Sequence, residues 1–144
     1  MRKKTKKKFI VASMDMLPFN FTVLFIAGDW RSAAKEINKE IQVNDGNYDH
    51  KVSDCVFKLI DVSEFEYDTC TGMTMRNEKI TSNLIVILMR NQNPPLKDIV
   101  HECHHATMMV LDYSGVNDTN HETSAYLIER LFNVCMNAVN NKED

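Results

Sequence analysis

His101-Glu102-Cys103-His104-His105 is where residue type and spacing together point to chemistry. Residues four apart on a helix lie on one face, one turn from each other. The imidazoles of His101 and His105 can therefore reach one tetrahedral ion at roughly 2.0–2.1 Å. Glu102 projects to the side of that pair, where it can take a proton from water instead of binding the ion. The chemistry expected is zinc-assisted hydrolysis, with His101 and His105 as metal ligands and Glu102 as catalytic base. The competing reading is a pair of solvent-facing histidines on an amphipathic helix.

A catalytic zinc site needs a third protein ligand. Glu122, across the turn at Gly115, is the first choice, because two antiparallel helices joined by a short turn would bring its carboxylate toward the histidines. A structural alternative exists for it: Thr119-Asn120-His121-Glu122 fits a capping box with Glu122 at the third helical position. Glu129 is the main rival ligand, with His121 and Asp118 behind it. His104 falls between the two helix faces and reads as a half-buried histidine.

The motif needs a helix. Asn93 can cap one whose first positions hold Pro94 and Pro95, where missing N–H groups cost nothing, and Asp98 suits the helix dipole. At 100° per residue, Leu96, Ile99, Val100, Cys103, Ala106, Val110 and Leu111 share one arc, and His101, Glu102, His105 and Met109 the opposite one. The helix should end near Asp112, with a turn over 113–118 and a last helix over 119–139. Upstream, 20–27 reads as a buried strand, 82–89 as the clearest strand, 54–62 as another and 69–76 as a weaker one. Residues 30–42 read as an amphipathic helix and 44–47 as a turn. The order implies an α+β fold, two C-terminal helices packed on a small, mostly antiparallel sheet.

From His101 to Phe132 the sequence resembles the zincin metallopeptidases, gluzincin branch, and most of all the short single-domain members of bacteria, phages and mobile elements. Glu122-Thr123-Ser124-Ala125 is similar to the E-x-x-A stretch that carries the third ligand in that branch. Tyr126 stands where an acidic residue usually follows, which removes a carboxylate that often orients a ligand histidine. The longer metzincin signature fails, because Met108 and Leu111 occupy its Gly and His positions. The resemblance implies one zinc ion, a peptide or protein substrate, and a metal that polarises the scissile carbonyl while Glu102 moves the proton. It also implies a peptide laid as an extra strand along the sheet edge above the zinc helix, for which 83–89 is the expected segment. No residue is identified for oxyanion stabilisation; Tyr113 and Tyr126 read as packing residues. A binding module of a phage or mobile element, its metal site structural or vestigial, is the alternative.

A chain of 144 residues suits one domain, assigned to 9–144, behind a basic tail over 1–8. Arg2, Lys3, Lys4, Lys6, Lys7 and Lys8 give that tail at most a weak contact with nucleic acid, since the net charge of -3 offers no broad basic surface. Phe9 to Met16 is broken by Asp15 and lacks a signal-peptide cleavage site, and no apolar run is long enough to span a membrane. Cys55, Cys70, Cys103 and Cys135 form no C-x-x-C pair and read as free thiols of a reducing cytoplasm.

Overall fold

Leu84–Met89 is apolar at every position, and a strand of that kind must be covered on both faces. A computed structural model of the chain, describing residues 8–37, 52–63, 70–80, 83–117 and 121–141, shows how this is met. Four strands form one mixed sheet: β1 (Phe9–Asp15), β2 (Thr22–Gly28), β3 (Gly72–Met75) and β4 (Leu84–Met89), in spatial order β1-β2-β4-β3. The β2–β4 pairing is parallel, whereas β1–β2 and β3–β4 are antiparallel. The fold is α+β as expected, and the sheet is mixed, with two of its three pairings antiparallel.

Four helices cover the sheet: α1 (Trp30–Ile37), α2 (Val52–Ser63), α3 (Leu96–Tyr113) and α4 (Glu122–Asn140). Val23, Phe25, Ala27, Ile85, Ile87 and Met89 pack with Ile99, Cys103, Ala106 and Val110 of α3 and Leu127, Leu131 and Cys135 of α4. The alternate residues Leu24, Ile26, Leu84, Val86 and Leu88 pack with Ala33, Ala34 and Ile37 of α1 and Cys55, Val56, Leu59 and Ile60 of α2. The period of two along β2 and β4 thus feeds two cores, one on each face.

Several sequence expectations change. Residues 54–62 are helical, not a strand: Cys55, Val56, Leu59 and Ile60 are buried at helical spacing while Asp54, Lys58, Asp61 and Val62 are exposed. Phe9–Asp15, which carried no expected element, is a strand. Residues 83–89 do not form a sheet edge, because β4 lies between β2 and β3; among the described residues the edges are β1 and β3. The cap of α3 is Pro95, in extended conformation and without a side-chain cap bond, so Asn93 is not the cap. Leu96 and Val100 are exposed and fall outside the buried stripe of α3. Lys8 is already tied to the sheet, its carbonyl accepting the Asp29 N–H at 2.9 Å. Residues 38–42 and 44–47 lie outside the described residues, as does most of the basic tail. No helix of the described residues is long and apolar enough to cross a membrane.

Candidate metal centre

The buried stripe of α3 (Ile99, Glu102, Cys103, Ala106, Thr107, Val110, Leu111) fixes the helix's rotation. His101 and His105 fall on the opposite side and are exposed. Their Nε2 atoms stand 3.0 Å apart, with the rings edge to face at 4.6 Å and 83°. Two ligands on a tetrahedral zinc are separated by about 3.3 Å, from the usual Zn–N length. The two nitrogens share a hydrogen bond, one donating and one accepting, and stand at a spacing close to that of two adjacent corners of such an ion. His104 is exposed, not half-buried, and its ring centroid is 6.3 Å from that of His105.

Glu102 departs from its expected place. Instead of sharing the exposed arc with the histidines it is only 7% exposed. The cause is edge strand β3, whose residues Gly72 and Thr74 face α3. Thr74 Oγ1 stands 3.1 Å from Glu102 Oε2 and also 3.1 Å from the Glu102 carbonyl oxygen, and its proton can serve one at a time. Gly72 gives the room: a Cβ there would meet Met89 Sδ at 2.8 Å and Glu102 Cγ at 3.4 Å. Thr74 is the functional residue that sequence reasoning missed. Its signal was the period of two along 69–76, which puts positions 72, 74 and 76 on one face without saying what they face.

The structure does not bring Glu122 to the histidines. Sγ of Cys103 and Sγ of Cys135 lie 3.9 Å apart in the interface between α3 and α4, which fixes how the two helices slide against each other. Glu122 lies thirteen residues before Cys135, about 20 Å along the helix. It is exposed, roughly opposite the buried stripe of Ser124, Leu127, Leu131 and Cys135. Glu129 is exposed and His121 is further still from the Cys135 level. Among the described residues no group of three His, Cys, Asp or Glu is placed to hold a metal ion. The capping box does not form as read either. His121, in left-handed conformation at φ 61°, is the cap of α4, so Glu122 is its first residue. Asp118, Thr119 and Asn120 lie outside the described residues.

Tyr113 and Tyr126 are 52% and 59% exposed, so neither is a core residue. The Tyr113 ring carries the Arg76 guanidinium at 4.0 Å and meets Phe21 edge-on at 5.2 Å; Tyr126 has Arg130 at 5.5 Å. The hydrogen bond with Cys103, and then burial, push the Cys135 thiol well above its ordinary range, as befits inert packing thiols. The site thus holds two converging imidazoles and one buried, hydrogen-bonded carboxylate on consecutive turns of a rigid helix. The chain matches no protein-family model, no curated protein and no solved structure.

Proposed function

We propose that this chain is a zinc-dependent hydrolase, a metallopeptidase of the zincin kind working in the cytoplasm. The observation that carries the reading is the convergence of His101 and His105 Nε2 to 3.0 Å, with the intervening Glu102 held by Thr74. His101 and His105 would supply two ligands, and the third that a catalytic zinc needs is not placed beside them among the described residues. A zinc ion held there would supply Lewis acidity to a carbonyl and lower the pKa of water beside it. Glu102, the residue next to the first ligand, accepts the proton of the attacking water and returns it to the leaving amine. Thr74 holds one oxygen of that carboxylate and so limits its rotation. A substrate strand is proposed to add along β3, an edge strand among the described residues, since Thr74 on it touches Glu102 directly. Four cysteines without a disulfide support the reducing compartment.

Glu102 also favours a second reading. Being buried and bonded to β3, it can act as a tie between helix and sheet in a zincin-like binding module of a phage or mobile element, its metal site structural or vestigial.

The test is elemental analysis of the purified chain, followed by a peptide-hydrolysis assay. About one zinc per chain is expected, lost in His105→Ala and retained in Glu122→Ala given the 20 Å offset argued above. Glu102→Gln should keep the zinc and lower hydrolysis by roughly 10²–10⁴-fold. A chain that takes up no zinc even when it is added back ends the hydrolase reading. Zinc binding with function unchanged in Glu102→Gln selects the binding module.

A further inference from the structure

A second feature lies outside the carboxyl ends of the two parallel strands, where open sheets with parallel strands tend to bind ligands. β2 ends at Gly28 and β4 at Met89, and the residues that follow line a cleft of about 400 Å³. Lys8, Arg31 and Arg90 face it, with Asp29, Trp30 and Gly28 between them. That volume suits a small molecule.

The charge in the cleft runs against the sign of the whole chain. The protein has 17 basic and 20 acidic residues, yet three cations and one carboxylate meet here. That carboxylate is engaged: Asp29 Oδ2 accepts the Ser32 hydroxyl at 2.8 Å and Oδ1 accepts the Ser32 N–H at 3.3 Å. These bonds, more than the Lys8 charge, hold Asp29 below the usual carboxyl range. The backbone that carries Lys8 and Arg90 is held in place. Gly28, at φ 102°, lets the start of β1 approach, since a Cβ there would sit 2.4 Å from the Lys8 carbonyl oxygen. The Arg90 N–H donates to the Thr71 carbonyl at 2.9 Å, and the Arg31 guanidinium rests 5.0 Å from the Trp30 ring. Three cations gathered at one cleft, two of them guanidinium forks, match a multiply charged oxyanion better than a single carboxylate.

We infer that this cleft is a binding site for a small phosphorylated ligand, with the phosphoryl group across Lys8, Arg31 and Arg90 and the remainder beside Trp30. It is separate from the candidate metal centre in residues and chemistry, so either can fail without the other.

Trp30 is the chain's single tryptophan and reports directly on the cleft. The full-length protein would be titrated with inorganic pyrophosphate and, separately, with adenosine diphosphate at constant ionic strength, following Trp30 fluorescence and heat. Saturable binding of either is expected, weakened about tenfold or more in Arg90→Gln and in Lys8→Gln. Arg90→Lys should bind with intermediate affinity, and its melting temperature shows whether the fold survives the change at that position. Tighter binding of the nucleotide would identify an organic phosphate as the ligand; equal binding would identify the phosphate group itself. Absence of saturation overturns the site. So does saturation unaffected by the Arg90 and Lys8 variants.

Discussion

Two residues of β3 decide how the catalytic candidate Glu102 is presented. Gly72 lets α3 approach the sheet, and Thr74 supplies a donor where a carboxylate would otherwise be buried facing apolar neighbours. An acceptor left without its donor in a buried place costs free energy, about 1–3 kcal/mol, more than an ordinary hydrogen bond contributes. Thr74→Val keeps the side chain's shape and removes the hydroxyl. Denaturant unfolding should show a loss of about 1–2 kcal/mol, with peptide hydrolysis falling while zinc content is unchanged. Thr74→Ser, which restores the hydroxyl, should recover most of both. A Val variant as stable and as active as the parent would remove Thr74 from the site. Sequence alone could place His101, Glu102 and His105 on a helix, because spacing along one helix is a local property. It could not find Thr74, whose role depends on which face of a remote strand meets α3.

At the level of elements, legibility followed how local the deciding force was. β4 was readable as a strand because β-branched and apolar residues run together in it, although its place inside the sheet was not. α3 was readable from its prolines, Asp98 and helical periodicity, although its true cap is Pro95. α2 was misread because Val56-Phe57 and Leu59-Ile60 imitate a short apolar strand, and the helical recurrence of Cys55, Val56, Leu59 and Ile60 shows only once burial is known. The Glu122 assignment failed for a related reason: a short turn between helices says that they pack, but the slide between them is set by contacts such as Cys103–Cys135. α1 shows the local case at its clearest, with Asp29 bonded to Ser32 at the helix start. Asp29→Ala should lower the melting temperature by a few degrees near neutral pH. Because the folded Asp29 carboxyl lies below its ordinary 3.8, its contribution is fully present above that value and is lost as pH falls through the lowered one. The gap between parent and variant should therefore be constant from neutral down to about pH 5 and narrow in more acid solution. A gap that persists unchanged into strong acid would mean that the charge of Asp29 has no part in it.

Across the molecule, the candidate metal centre and the basic cleft share one platform. β2 and β4 give alternate side chains to the core under α3 and α4 and to the core under α1 and α2. Neither core can lose its packing without uncovering strands that the other also needs, so the two faces should unfold together. Leu59 lies in the α1–α2 core, on the face away from His101 and His105, and is 1% exposed. Leu59→Ala should cost about 2–4 kcal/mol through lost burial and the cavity left behind. The consequence argued here is that this loss reaches the far face. Trp30, packed 5.3 Å from Phe57 of α2, reports on the near side, and far-UV circular dichroism reports on all four helices. Both signals should move to the same lower denaturant midpoint in Leu59→Ala, and zinc release should move with them. A tryptophan transition that shifts while the helical signal and the zinc stay at parental values would mean that the faces fold independently. In that case His101 and His105 would be held by the α3–α4 layer and its side of the sheet alone.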